Sequence, residues 1–231
     1  SKGSDGRRMT VIHRVWIAVY EVDDPKSVQQ RLEQAVAAFC GISGIPVPPK
    51  ESLLTARTDR GKPYFPLAPQ LHLSISHSGK YWACAIADQN VGLDLQQREH
   101  PRGETPEELL RRHQKLAHRF FHPLEAEFVD RDCTHNFLTV WTAREAYVKH
   151  TGQGIDRHFS EHCVVPVDDV DRCRISGNTD GVRWSAMGKS FQKTYFDRDY
   201  TLCVCTDTQC ECIVTEFPAS SAGSCAADTF P

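Results

Sequence analysis

The chain has 231 residues, 40% of them hydrophobic, and a formal net charge of −3. That is enough apolar sequence to bury a core as one domain of two lobes or as two small domains. The near-neutral balance argues against a general polyanion-binding surface, and so against nucleic acid as the main partner. No apolar run approaches the roughly 20 residues that span a bilayer, and the polar opening SKGSDGRR does not read as a signal peptide.

Residues 1–10 are expected to be a flexible segment. Residues 11–22, VIHRVWIAVYEV, are rich in β-branched and aromatic types and read as a strand that Asp23, Asp24 and Pro25 end. From 27 to 40, Val28, Leu32, Ala35, Val36 and Phe39 make a helical stripe, with Arg31, Glu33 and Gln34 expected outside it. A loop over 41–49 leads to TARTDRGKPYFP (55–66), whose glycine and prolines favour extended or turn geometry around Arg57, Arg60 and Lys62. This loop could face phosphate or be a solvated basic connection.

Residues 71–77 alternate strictly: Leu71, Leu73 and Ile75 point one way, His72, Ser74 and Ser76 the other. After a turn at 78–80, YWACAIA (81–87) and VGLDLQ (91–96) complete three expected adjacent antiparallel strands. Asp94 sits between Leu93 and Leu95, where a carboxylate suits neither the strand propensity nor burial without a partner. Gly92 removes a side chain beside it, so that a ligand or another backbone can approach. A proline- and glycine-containing connection over 98–107 follows. Residues 105–120 then form a helix, with Leu109, His113, Leu116 and Phe120 on one stripe and Arg111, Arg112, Lys115 and Arg119 on the other. That basic face is either a solvated surface or a dock for an acidic protein. A short helix over 123–129 opens on a proline.

FLTVWTAREAYVKHTGQGI (137–155) carries the densest pattern in the chain. Phe137, Val140, Trp141 and Val148 recur at helical spacing, and Gly152 and Gly154 stop the helix. Trp141, Glu145 and Lys149 lie four apart in one column, with Arg144 beside it. Glu145 and Lys149 could be an exposed ion pair of about 0.3–0.5 kcal/mol. Alternatively, Glu145 joins a second carboxylate, Asp94, in holding a divalent cation.

Strands are expected at 162–167, 174–176, 182–187, 194–196, 201–206 and 210–217, then a loose tail over 218–231. The ten cysteines lack the dense framework of a small secreted domain and point to a reducing, cytoplasmic setting. Cys203, Cys205, Cys210 and Cys212 have the spacing of a hairpin that would bring four sulfurs to one face, as core residues, a zinc site or cross-strand disulfides. Strand, helix and strands occur twice, which divides the chain into similar lobes at 11–103 and 104–217.

GKPYF (61–65), SISHSG (74–79), VGLDL (91–95) and WTAREAYVK (141–149), in this order, resemble the 4′-phosphopantetheinyl transferases, in particular the larger two-lobed type that activates peptide synthetases. The resemblance covers residues 12–217. It implies an α/β (α+β) fold of two pseudo-twofold lobes, each a small antiparallel sheet with a long helix, and a monomer with coenzyme A and magnesium between the lobes. It also implies transfer of the phosphopantetheine arm to a serine of an acyl or peptidyl carrier protein, releasing adenosine 3′,5′-bisphosphate. On this reading Asp94, Glu145 and Gln96 hold the metal, and Glu145, Lys149 and His77 are catalytic. Arg60, Lys62, Ser76, His77 and Lys149 bind coenzyme A, while Arg111, Arg112, Lys115 and Arg119 meet an acidic carrier.

Two departures stand out. Gln96 replaces a third acidic ligand found in many relatives, which implies weaker magnesium binding and tolerance of manganese. Arg144 replaces a lysine before the glutamate, keeping the charge with different geometry. The rival implication is a non-catalytic module of the same fold that binds carrier protein or coenzyme A.

Overall fold

The computed structural model describes residues 11–154, 159–166 and 182–217. The segments expected at 1–10, 174–176 and 218–231 lie outside them. Strand β1 (Arg14–Glu21) leads to helix α1 (Val28–Ser43), which starts at a Ser27–Gln30 capping box and ends at Gly44 in the left-handed conformation. Leu32, Ala35, Val36 and Phe39 pack against Tyr20, Leu73 and Ile86. Arg31, expected outside, is buried. Its guanidinium lies 5.4 Å from the Tyr20 ring and 5.3 Å from that of Trp82 and donates to the Asp24 carbonyl at 2.9 Å. The long apolar stem lets the charge reach carbonyls in the β1–α1 connection.

The basic loop is a small hairpin of β2 (Ala56–Arg57) and β3 (Pro63–Tyr64). Next come β4 (His72–Ser78), β5 (Tyr81–Ala87) and β6 (Val91–Gln97). The first sheet has the order β10-β1-β5-β4 and the second β6-β9-β8-β7, where β7 is Val182–Ala186, β8 Lys189–Phe196, β9 Tyr200–Thr206 and β10 Glu211–Phe217. The three strands β4, β5 and β6 are thus not one antiparallel set. Both edges of β5 are taken, by β1 and β4, so β6 crosses to the second sheet and pairs with β9. In return β10 joins the first sheet, parallel to β1.

The other edge of β6 meets β4 through side chains. The Leu93, Leu95 and Gln97 amides donate to the hydroxyls of Ser74, Ser76 and Ser78 at 2.9, 3.0 and 2.9 Å. The serine face of β4 therefore points between the sheets, and Ser74 and Ser76 are buried there. Hydroxyls substitute for the missing backbone ladder and satisfy amides that would otherwise be stranded.

Helices α2 (Pro106–Phe120), α3 (Pro123–Arg131) and α4 (Cys133–Thr151) follow β6, the first two each with a proline in the opening turn. Helix α4 lies directly on β6 and β9. A Cβ at Gly92 would stand 1.9 Å from the Ala146 carbonyl oxygen, so the glycine admits the helix backbone rather than a ligand. Past a 3-10 turn at Phe159–Glu161, residues 162–166 form no strand. Val164 and Val165 are buried there, and Val164 exchanges bonds with the Glu125 carboxylate (2.7 Å) and the Trp184 indole (2.6 Å). Their branched side chains serve the core instead of a ladder.

The cysteine hairpin does not form, because β9 and β10 belong to different sheets. Cys203 and Cys205 pack with α4, whereas Cys210 and Cys212 pack between the sheets, and burial raises the pKa of all four. They are core thiols in two clusters, which removes the single four-sulfur face a zinc site needs. No helix among the described residues is long and apolar enough to cross a membrane.

Candidate active site

A cleft of about 490 Å³ opens where β4, β6, α4 and the β2–β3 hairpin meet. Arg60, Lys62, Ser76, His77, Asp94, Gln96, Glu145 and Lys149 all line it, drawn together from four parts of the chain, and Arg57 joins them. The basic residues of α2 do not: Arg111, Arg112, Lys115 and Arg119 are exposed on that helix outside the cleft. Arg112 is tied to Glu104 at 3.0 Å, and Arg119 lies 5.0 Å from the Phe120 ring.

Asp94 is the fixed point. It is 2% exposed, and its Oδ1 accepts from the Lys149 ammonium at 2.7 Å and the Ser76 hydroxyl at 3.0 Å. Its Oδ2 accepts from the Gln96 amide at 2.8 Å. Such charge-assisted bonds are roughly twice as strong as neutral ones and offset the cost of burying the carboxylate. Lys149 also donates to Ser76 at 3.0 Å, so the Glu145–Lys149 column is no surface ion pair: the ammonium is committed across the cleft. Glu145, one turn earlier, is half-buried. Burial, and then the charge of Asp94, raise its pKa above the ordinary carboxylate value.

Arg144 faces the other way. It is 1% exposed, pairs with the buried carboxylate of Glu125 and donates to the His162 carbonyl at 2.9 Å. The positive charge next to Glu145 in sequence therefore supports the packing of α3 on α4, not the cleft. Adjacent helical residues diverge by about 100°, which separates the two roles.

On the basic side, His77 and Arg60 are exposed, and Arg60 donates to the Gln153 carbonyl. Lys62 is turned inward to Asn90 Oδ1 and the His150 carbonyl, both at 2.6 Å. Asn90 carried no signal beyond its place in a turn. His150 is buried beside Asp207 (3.1 Å), and burial lowers its pKa to about 4. Gln96 also borders a second cavity of about 310 Å³ between α2 and α4, with Leu109, Phe137 and Trp141 in its wall.

The family model of the 4′-phosphopantetheinyl transferase superfamily matches residues 90–205, just over half of the chain. That segment contains Asp94, Gln96, Glu145 and Lys149. A 4′-phosphopantetheinyl transferase of Bacillus subtilis is 29% identical over 152 residues, 63% of this chain and 59% of its own length. The 4′-phosphopantetheinyl transferase gsp of Aneurinibacillus migulanus is 29% identical over 111 residues, 46% of this chain and 41% of its own length. The 4′-phosphopantetheinyl transferase Sfp of Bacillus subtilis strain 168 is 26% identical over 162 residues, 68% of this chain and 64% of its own length. The chain thus spans less than two thirds of the length of each of these relatives. With its own cleft formed around the four motifs, the chain belongs to the 4′-phosphopantetheinyl transferase superfamily, in its Sfp-like type.

Proposed function

We propose that the chain transfers the 4′-phosphopantetheine arm of coenzyme A to a serine hydroxyl of an acyl or peptidyl carrier protein. The observation that carries this reading is the buried Asp94, held by Lys149, Ser76 and Gln96, facing a second carboxylate, Glu145, in a cleft walled by exposed arginines. In the transfer, the serine oxygen bonds to the phosphorus on the pantetheine side of the pyrophosphate. The bond from that phosphorus to the bridging oxygen breaks, and adenosine 3′,5′-bisphosphate leaves. The raised pKa of Glu145 suits it to take the serine proton, directly or through water. Lys149 and His77, which line the same cleft, would offset charge on the transferring phosphoryl group. Arg57 and Arg60 are exposed on the hairpin and suit the remaining phosphates, while the apolar walls of the cavity beyond Gln96 suit the uncharged arm.

Asp94, Glu145 and the Gln96 amide oxygen are hard oxygen donors, fitting for magnesium and also manganese. Among the described residues no group of three or more His, Cys, Asp or Glu side chains is placed to bind a cation, so phosphate oxygens would complete the set. A cation would also relieve the repulsion between Asp94 and Glu145 that helps to raise the Glu145 pKa. When bound, it would neutralise pyrophosphate charge.

The test is release of adenosine 3′,5′-bisphosphate, followed by chromatography, from coenzyme A, magnesium and an apo carrier protein. Release is expected with the intact carrier and absent when its acceptor serine is replaced by alanine. Equal release from both would contradict transfer to that serine.

A further inference from the structure

The cations of the β2–β3 hairpin are not equivalent. The Lys62 ammonium has three N–H donors. It directs them at Asn90 Oδ1 (2.6 Å), the His150 carbonyl (2.6 Å) and, at longer range, the Val91 carbonyl (3.5 Å). Asn90 closes the arrangement by donating to the same His150 carbonyl at 2.9 Å. His150 belongs to the last turn of α4, where carbonyls lack intrahelical donors and carry the negative end of the helix dipole. The Lys62 stem crosses the helix cap: a Cβ at Gly152 would lie 3.0 Å from Lys62 Cδ. Burial lowers the pKa of this ammonium to about 8, in keeping with a cation drawn out of water. Arg57 and Arg60 are exposed instead, donating to the Gly61 carbonyl at 2.7 Å and to the Gln153 carbonyl. Each guanidinium has further donors to offer.

We infer that Lys62 is a latch, a positioning residue that pins the basic hairpin to the end of α4 through Asn90 and the His150 carbonyl, so that Arg57 and Arg60 meet the anionic ligand. The inference rests on the reading above only for the ligand's identity.

Two measurements test it: coenzyme A affinity by calorimetry, and amide hydrogen exchange at Thr58 and Gly61 without ligand. Those amides close the hairpin, bonding to the Lys62 carbonyl at 2.9 Å and the Thr58 carbonyl at 2.8 Å. Lys62→Met and Asn90→Ala are each expected to weaken coenzyme A binding roughly ten-fold, and the pair little further, because both break one connection. Each also speeds exchange at the two amides. Lys62→Gln, which keeps a donor without the charge, recovers most of the affinity. The latch is overturned if Asn90→Ala leaves affinity and exchange unchanged while Lys62→Gln is as damaging as Lys62→Met, the pattern of a lysine bound directly to phosphate. A chain that binds no coenzyme A contradicts the functional reading, and the exchange rates still decide on the latch.

Discussion

Asp94 and Arg144 are both charged residues in apolar surroundings, but their partners give them different work. Asp94 is held by three donors at the cleft wall, whereas Arg144 and Glu125 neutralise each other between α3 and α4. Removing one member of such a buried pair strands the other, so Glu125→Ala is expected to cost about 3–5 kcal/mol in chemical denaturation. The folded fraction should keep its KM for coenzyme A. His150 gives a pH signature. Above pH 6.5 the group is neutral in both states and silent. Below it the unfolded chain takes up a proton that the folded chain accepts only near pH 4, so stability falls across that window by about 3 kcal/mol. His150→Gln should flatten the fall in urea titrations between those limits, and an unchanged slope would contradict the assignment. Asp94 was legible in the sequence because an acid between strand-forming apolar residues needs a reason. Arg31 and Arg144 were not, since a long side chain finds its partner on another element and helical spacing carries no record of it.

The helix α4 is seated by the absence of a side chain. A Cβ at Gly92 would meet three backbone atoms of α4, the Ala146 oxygen at 1.9 Å, the His150 nitrogen at 2.4 Å and the His150 Cα at 2.9 Å. None of them can rotate aside. Gly92→Ala should therefore destabilise the chain by at least about 2 kcal/mol by thermal melting and lower kcat, because it displaces the turns that carry Glu145 and Lys149. Strand identities for β4, β5 and β6 followed from alternation and turn composition. Their pairing did not, because a short turn marks a hairpin whether or not the strand's edge is already occupied. The serine rungs at Ser74, Ser76 and Ser78 show what replaces the ladder, yet polar alternation alone reads equally well as a face in water.

At the scale of the whole molecule, the two sheets exchange strands: β6 from the first half enters the second sheet, and β10 from the second half enters the first. The cleft lies at this exchange, so Asp94 on β6 faces both Ser76 on the first sheet and Lys149 on α4. Its order of motifs was readable from the sequence, whereas the crossing that joins them was not. The exposed basic face of α2 lies outside the cleft, and we propose that it docks an acidic carrier. Arg111→Glu with Arg119→Glu should raise the KM for the carrier roughly ten-fold, with less effect at high salt, and leave the KM for coenzyme A unchanged. Transfer of a phosphopantetheine arm by means of Glu145 is tested most directly by the intact mass of an apo carrier protein incubated with the chain, coenzyme A and magnesium, beside a Glu145→Ala control. The expected result is a gain of one phosphopantetheine that is lost in the control. No gain across several carrier classes, with coenzyme A still bound, would contradict it and leave a binding module of the same fold.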